Sequence, residues 1–351
     1  MKTILSFIFG LLLLSVPLEA GSATLKGDVD GNGTVSIGDV SVLIDYLLSD
    51  DASEVNLENA EVSGDGLINI NDVSTLIDYL LSGSWPSSGP NSETFVVNGV
   101  SFTMVVVEGG TFMMGGTEEQ GSDALDDEYP VHQVTLSTFS IGQTEVTQEL
   151  WEAVMSTMNY DTAFLDPEEY IYPSYFSSKN GFADIPQRPV ENITVLRMQF
   201  FITLLNNLTG REFRLPTEAE WEFAARGGNL SRGYKYAGSN NLDEVAWNWD
   251  NAWTVGADSP DYGTHAVGTK APNELGLYDM SGNVFERTAD RAYYTYPSEP
   301  EVDPSYPLTH PNQYYSTRGG AFRYWPQFCR VSARQGYDVN AHEEVGFRLA
   351  L

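Results

Sequence analysis

The most chemically varied stretch of this sequence lies near its C-terminal end, in residues 317–334. It contains the only cysteine, Cys329, with a glycine pair, four aromatic residues and four arginines. Paired glycines permit sharp turns and close backbone approaches, and aromatic rings with guanidinium groups offer cation–π contacts and bidentate hydrogen bonds. The stretch is therefore a candidate ligand or substrate site. In the alternative interpretation, its rings fill a core and its arginines pair with carboxylates inside the protein.

Two loops rich in oxygen-bearing groups form a second candidate, for a metal ion. An eleven-residue segment that starts at Asp39 recurs 33 residues later, starting at Asp72, with ten identical positions, so the chain contains an internal repeat. Each copy follows a loop with EF-hand spacing, the oxygen cage that hard calcium ions prefer. The predicted ligands of the first loop are Asp28, Asp30, Asn32, Thr34 (through its carbonyl), Ser36 and Asp39.

The second loop is a poorer cage than the first. Glu61 and Ser63 stand where the first loop has aspartates, so we expect it to bind calcium more weakly. For either loop, the alternative is a solvated acidic turn. The predicted ligands of the second loop are Glu61, Ser63, Asp65, Leu67 (through its carbonyl), Asn69 and Asp72.

The N-terminus and the charge of the chain both indicate export. Lys2 precedes an apolar run over residues 4–16 and then Pro17 and small residues, which predicts a signal peptide over residues 1–20, or alternatively a retained signal anchor. No later stretch has transmembrane length. With 49 acidic and 18 basic residues, the net charge is −31, which argues against nucleic-acid or anionic-membrane partners. We expect a secreted protein, extracellular or associated with the cell surface.

The remaining patterns predict a small all-α module and a larger α+β domain. The repeat occupies residues 24–83, a Pro/Gly/Ser-rich linker residues 84–93, and the large domain residues 94–351. In the large domain, Asn98-Gly99 predicts a hairpin turn, Gln148–Met155 a helix, and Thr217 with Glu220 a capping box that starts another helix. A helix over residues 196–208 should end at Gly210 and place Phe200, Phe201, Leu204, Leu205 and Leu208 on one face.

The repeated loop–helix units resemble a type I dockerin over residues 24–83. This resemblance implies calcium-dependent folding and docking onto a cohesin-type scaffold or surface protein. The helix residues that the resemblance assigns to docking are Ser41, Val42, Asp45, Ser74, Thr75 and Asp78.

Six ordered motifs in the large domain resemble the sulfatase-modifying-factor family, whose type enzyme generates formylglycine. The resemblance spans residues 100–351 and implies a loop-rich variant of the C-type lectin fold. The motifs occupy residues 109–115, 144–147, 214–222, 276–286, 318–320 and 346–348.

The same resemblance implies two calcium sites in the large domain. One would use Asp279, Glu286 and the carbonyls of Gly282 and Val284, unless Asp279 only forms a turn and Glu286 only pairs with an arginine. The other would use Asn251, the carbonyl of Ala252 and a carboxylate from Asp258 or Asp261.

The resemblance is incomplete at the catalytic centre. The family enzyme binds copper(I) through two cysteines, five residues apart, after its Gly-Gly pair; here those places hold Tyr324 and Cys329. A phenol is too hard a ligand to replace a copper(I) thiolate. We therefore predict a binding or accessory module for a glycan, peptide or protein. The alternatives are an oxidoreductase with an altered site at Cys329 and, with no catalytic signature here, a glycan-degrading enzyme.

Overall fold

A computed structural model describes residues 25–49, 52–53, 55–60, 62, 68, 70–82, 91–158, 166–292, 295–309 and 314–351. The chain divides into two units, Met1–Gly89 and Pro90–Leu351. The predicted signal peptide and linker residues 84–90 lie outside the described residues. So do five predicted calcium ligands: Glu61, Ser63, Asp65, Leu67 and Asn69.

The first unit contains the repeat as two equivalent helices. Helices α1 (Ile37–Ser49) and α3 (Ile70–Ser82) follow the two loops, with the short helix α2 (Leu57–Ala60) between them. Val40 and Leu43 of α1 are buried, as are Val73 and Leu76 at the equivalent positions of α3. The two copies therefore bury the same apolar positions in one small core, as the helical spacing predicts.

A three-stranded antiparallel sheet opens the second unit. Strands β1 (Ser92–Val97) and β2 (Val100–Val107) form the predicted hairpin, with Asn98 at φ 48° and Gly99 at φ 86°. Positive φ at both central residues is the geometry that favours Asn-Gly. Strand β5 (Phe139–Gly142) pairs with the other edge of β2.

Two further sheets complete the strand framework. In the first, β3 (Gly110–Met114), β4 (His132–Leu136) and β7 (Glu301–Val302) lie in that order. In the second, the order is β10 (Val345–Gly346), β6 (Phe285–Arg291), β8 (Tyr315–Arg318) and β9 (Arg334–Tyr337). Because Arg318 of β8 is paired with Arg334 of β9, residues 319–333 leave this sheet and return to it as one closed loop.

The described residues of the second unit also form five α-helices: α4 (Gln148–Met155), α5 (Pro167–Ile171), α6 (Val195–Thr209), α7 (Glu218–Ala225) and α8 (Leu242–Val245). Helix α4 has the predicted bounds. Helix α7 begins at the predicted capping box, in which Thr217 accepts a bond from Glu220 N and the Glu220 side chain accepts one from Thr217 N. Local sequence signals therefore located these helix boundaries correctly.

The predicted end of α6 at Gly210 is confirmed, but only part of its predicted apolar face lies in the core. The helix buries Met198, Phe201 and Leu205, whereas Phe200 and Leu208 are 44% and 46% exposed. Helix α6 is apolar on most of its circumference, so periodicity alone could not select the face that packs. Contacts with Trp151 and Phe347 select it, since Phe201 stacks on Trp151 at 5.0 Å and meets Phe347 edge-on at 5.6 Å.

Among the described residues, no helix has both the length and the apolar character needed to cross a membrane.

Candidate functional site

The loop of residues 319–333 is held closed by its glycine pair and by a hydrogen bond from Ser281. Gly319 and Gly320 have φ values of 91° and 76°. A Cβ on Gly320 would lie 2.6 Å from Cys329 Sγ and 2.9 Å from the Phe328 carbonyl oxygen. Ser281 Oγ donates to the Cys329 carbonyl at 2.7 Å. The loop therefore folds back onto its own start, an approach that needs glycine.

Three of the four arginines in the stretch pair inside the protein, as the alternative interpretation predicts. Arg318 and Arg334 share Glu218 at 3.3 and 2.8 Å, and Arg318 also binds Glu222. Arg330 binds both oxygens of Glu128 at 2.5 and 2.8 Å. Burial would raise the pKa of Glu128, but hydrogen bonds from Arg330 and Ser332 outweigh it and keep this pKa below its usual value. These ion pairs fix the base of the loop.

Cys329 lies where a thiolate is strongly disfavoured. Its side chain is fully buried beside Tyr236, Val245 and Ala246. Burial raises the pKa of the Cys329 thiol to about 12. Its environment is therefore that of a protonated, small apolar side chain.

Tyr324 belongs to a different side-chain cluster from Cys329. Its ring packs edge-on against Phe285 at 4.7 Å, and its hydroxyl oxygen lies 2.6 Å from that of Tyr337. Tyr337 donates to Glu344 at 2.9 Å, and Glu344 also accepts a bond from Arg323 at 2.6 Å. Burial and the Glu344 charge raise the pKa of Tyr337. The position of the missing cysteine is thus the end of a Tyr–Tyr–Glu–Arg hydrogen-bond chain.

In the first unit, the first predicted loop brings its carboxylates together. One oxygen each of Asp28, Asp30 and Asp39 lie within 4.8 Å of one another. Asp28 Oδ1 is buried without a hydrogen-bond partner, while burial raises the pKa of Asp39, as does the Asp30 charge. Converging carboxylates with an unsatisfied oxygen fit a hard cation such as calcium.

The other predicted ligands of this loop support the cage. The Asn32 side chain donates to Asp30 at 2.6 Å and accepts from Thr34 N at 2.9 Å. Ser36 N donates to Asp39 at 2.7 Å. Of the second loop's predicted ligands, Asp72 is described: it is buried and accepts a bond from Val62 N at 2.8 Å.

In the second unit, Glu286 has the arginine-partner arrangement given as the alternative. Arg348 donates to both Glu286 oxygens at 2.5 Å, and Trp221 Nε1 donates at 2.7 Å. Asp279 has the turn geometry of the other alternative, with φ 57°. Its Oδ2 accepts a bond from Gly268 N at 2.7 Å, but its Oδ1 is buried without a partner.

The surroundings of Asp279 carry excess negative charge. Burial raises the pKa of Asp279 to about 6 and that of Glu145 well above its usual value, with the Asp279 and Glu286 charges adding to the latter. Three buried carboxylates thus face one guanidinium, that of Arg348. A cation at Asp279 Oδ1, beside the turn that carries the Gly282 and Val284 carbonyls, would offset this excess.

The groups of the other predicted calcium site are used in hydrogen bonds. Asn251 Oδ1 accepts a bond from Asn248 N at 2.8 Å, and its amide nitrogen donates to Ala246 O at 3.0 Å. The Ala252 carbonyl accepts from Gly263 N at 2.9 Å. Asp258 and Asp261 are exposed. Asn251 and Ala252 therefore close a turn.

Sequence reasoning missed the residues that complete these clusters. Tyr337 is the partner of Tyr324, Glu344 is the partner of Tyr337, and Glu145 joins Asp279 and Glu286. Glu145 lies in one of the six motifs, which was a signal for its importance. No spacing pattern marks Tyr337 or Glu344. These residues meet their partners only through the pairing of β8 with β9 and the turn that follows β9.

Comparisons with known proteins match the same two regions. The sequence profile of the sulfatase-modifying factor enzyme 1-like domain matches residues 94–351, and that of the dockerin type I domain matches residues 26–81. The chain is 35% identical over 268 residues to chaperone protein LppX of Paenibacillus barcinonensis, covering 69% of this chain and 86% of that protein. It is 31% identical over 295 residues to the formylglycine-generating enzyme of Thermomonospora curvata, covering 70% and 92%.

Among solved structures, Treponema denticola variable protein 1 aligns with a TM-score of 0.59 at 29% identity. The alignment covers 74% of this chain and 99% of that one. This likeness agrees with the predicted α+β, C-type-lectin-like fold.

Proposed function

Because this chain belongs to the sulfatase-modifying factor family and carries a dockerin type I domain, we propose that it is a secreted binding or accessory protein that lacks formylglycine-generating activity. The observation that carries the proposal is the pair of positions where the family enzyme has its copper cysteines. Tyr324 ends a hydrogen-bond chain there, and Cys329 is a buried thiol with a pKa raised to about 12.

These donors do not fit copper(I). That ion takes soft thiolates, whereas the phenol of Tyr324 is a hard ligand with its oxygen already bonded to Tyr337. Tyr324 and Cys329 also pack in different clusters, one with Phe285 and the other with Tyr236. No oxidation step is therefore assigned to this pair.

The dockerin domain supplies the proposed tether. Dockerin domains bind cohesins and occur typically in extracellular or cell-surface proteins. In α1, Ser41 and Asp45 are exposed and Val42 is partly exposed, while in α3 Thr75 is partly exposed. The side chains of Ser74 and Asp78 lie outside the described residues. Calcium in the Asp28–Asp30–Asp39 cage would couple this tether to folding.

Mass spectrometry of a Cys-x-Pro-x-Arg peptide tests the loss of activity. The full-length, calcium-loaded protein is incubated with the peptide, copper and oxygen, with the Thermomonospora curvata enzyme as a positive control. We expect an unchanged thiol. Conversion to the aldehyde that disappears in the Cys329→Ala variant would establish the oxidoreductase alternative instead.

A chaperone-like accessory role is a second candidate. The relative named a chaperone is 35% identical, and α6 presents Leu196, Phe200 and Leu208 at 62%, 44% and 46% exposure. These residues share one side of the helix, because they are separated by multiples of four. A groove of about 560 Å³, lined by Met198, Ile202 and Phe213 together with polar residues such as Arg214 and Glu220, runs beside the helix. Such apolar surface suits transient binding of unfolded chains.

Light scattering of an aggregating, chemically denatured secreted enzyme tests this second role. The wild-type protein should delay aggregation, and Leu196→Ser/Phe200→Ser should abolish the delay. Tyr129→Ser, at an exposed aromatic outside α6, is the matched control. Equal activity of all three proteins would refute a role for α6.

A further inference from the structure

A continuous row of aromatic side chains borders the loop of residues 319–333. Trp325 meets Trp249 at a centroid distance of 6.0 Å, Trp249 lies 6.2 Å from Trp253, and Trp253 stacks on Tyr262 at 5.0 Å. We refer to these four residues as the aromatic strip. It contains three of the seven tryptophans in the chain, so it is the main concentration of this residue type.

The backbone holds the aromatic strip in place. Trp249 and Trp253 are the ends of one π-helical turn, Trp249–Trp253. Trp249 N donates to the Tyr324 carbonyl at 3.0 Å, which joins this turn to the residue before Trp325. Gly263 N donates to the Ala252 carbonyl at 2.9 Å and holds the Tyr262 segment against the same turn. Because these rings are already held in place, little side-chain conformational entropy would be lost when a ligand stacks on them.

The strip is more exposed than packing alone explains. Trp325 is 56% exposed, and Trp249, Trp253 and Tyr262 are each partly exposed. Beneath them, Phe322 lies 5.9 Å from Trp253 and is fully buried. The inner residues fill the core, whereas the outer ring of Trp325 leaves apolar surface in water, which often marks a binding surface.

Two exposed carboxylates directly neighbour residues of the strip in sequence. Asp250, inside the π-helical turn, and Asp261, next to Tyr262, are both exposed carboxylates. The nearby cation Arg323 is already paired with Glu343 at 3.2 Å and Glu344 at 2.6 Å. The neighbourhood therefore carries net negative charge, which disfavours an anionic ligand.

We propose that the aromatic strip binds neutral polysaccharide, an inference that rests on the proposed binding function and names its ligand class. The apolar C–H faces of sugar rings pack on tryptophan, and sugar hydroxyls donate to carboxylates such as Asp250 and Asp261. An extended peptide instead presents many backbone carbonyls, which require donors. The acceptor-rich border thus favours sugar over peptide.

Affinity electrophoresis of the full-length, calcium-loaded protein tests this proposal. Native gels contain mixed-linkage β-glucan, xylan or galactomannan as neutral probes, and polygalacturonate as the anionic probe. We expect retardation by at least one neutral polysaccharide and none by polygalacturonate. Trp325→Ala should weaken the binding by about tenfold or more. Tyr129→Ala, which removes an exposed ring that belongs neither to the strip nor to α6, should bind as the wild type does.

Three results would overturn the polysaccharide proposal: unchanged mobility in every neutral gel, full binding by Trp325→Ala, or equal retardation by polygalacturonate. A proline-rich peptide that binds through Trp325 while no neutral polysaccharide does would also overturn it and leave a binding module. The same preparations are assayed with the Cys-x-Pro-x-Arg peptide. Aldehyde formation in that assay would show that the protein is catalytic, whatever the gels show.

Discussion

At the scale of single residues, the proposed lack of formylglycine-generating activity rests on the environment of the Cys329 thiol. A catalytic or copper-binding cysteine must be available as a thiolate. The Cys329 thiol is fully buried, and burial raises its pKa to about 12. The Cys329 sulfur packs closely against Gly320, so this side chain fills space inside the loop.

We expect Cys329 to react with iodoacetamide at pH 8 at least about a hundredfold more slowly in the native protein than in urea, because burial removes both access and thiolate. Mass spectrometry measures the labelling, and because this is the only cysteine, the assignment is unambiguous. Rapid labelling of the calcium-loaded native protein would contradict this account.

A second residue-scale prediction concerns Glu191, which is fully buried under residues 174–176. Its carboxylate oxygens accept bonds from Phe176 N at 2.9 Å and Tyr175 N at 3.2 Å. Burial, with the Glu343 charge, raises its pKa to about 8, although the backbone bonds and Arg188 oppose the shift.

Since the folded state holds this proton more tightly than the unfolded state, Glu191 contributes its full stabilisation below pH 4.5. That contribution falls as pH rises towards 8. Glu191→Gln cannot lose a proton, so its stability relative to wild type should improve by on the order of 2 kcal/mol between pH 5 and pH 8.5. Urea titrations at the two pH values measure this change. If the difference in unfolding free energy between Glu191→Gln and wild type is the same at both pH values, Glu191 titrates normally.

At the scale of elements, the loop between β8 and β9 depends on ion pairs with distant segments. Arg330 and Glu128 are separated by 202 residues and are both fully buried. Ser332 donates to the same carboxylate at 2.5 Å. Removing one partner of such a pair leaves an uncompensated buried charge, which costs more than the pair contributes.

Glu128→Ala should therefore lower the free energy of unfolding by about 3–5 kcal/mol, as measured by urea denaturation. Glu118→Ala, an exposed carboxylate in the preceding 3-10 turn, is the matched control and should change it by less than about 0.5 kcal/mol. Similar effects of the two substitutions would show that the Arg330 pair is dispensable.

At the scale of the whole molecule, the two units should respond differently to calcium. Six of the seven tryptophans lie within residues 151–325 of the second unit, and the seventh is Trp85. Tryptophan fluorescence therefore reports mainly on the second unit, while amide exchange in α1 reports on the first.

Removing calcium with a chelator should abolish exchange protection in α1, because Asp28, Asp30 and Asp39 then repel one another without a cation. Asp39→Asn should weaken calcium binding in the same assay. Retained protection of α1 without calcium would refute a metal requirement for this unit.

The tryptophan-monitored melting temperature separately tests the proposed cation at Asp279. If that cation offsets the buried negative charge, the chelator should lower this melting temperature, and Asp279→Asn should remove the dependence. An unchanged melting temperature would leave Arg348 as the cation that balances this cluster.

The sequence by itself determined the features whose information is local. The repeat, the EF-hand spacing, the Asn98-Gly99 turn and the Thr217 capping box each depend on a few neighbouring residues. Backbone sterics and short-range hydrogen bonds largely decide such features. The single cysteine and the presence of Tyr324 likewise excluded a thiolate pair before any fold was known.

Only the tertiary structure decided which partners these residues take. With 49 acidic residues in the chain, spacing could not assign Glu128 to Arg330, Glu344 to Tyr337 or Glu286 to Arg348. Helix α6 is apolar on most of its sides, so its periodicity does not specify the buried face. Contacts with neighbouring residues determine it. Burial and charge pairing arise from segments far apart in sequence, as does the contact that adds Trp325 to the aromatic strip. The approach of these segments depends on how the second unit packs.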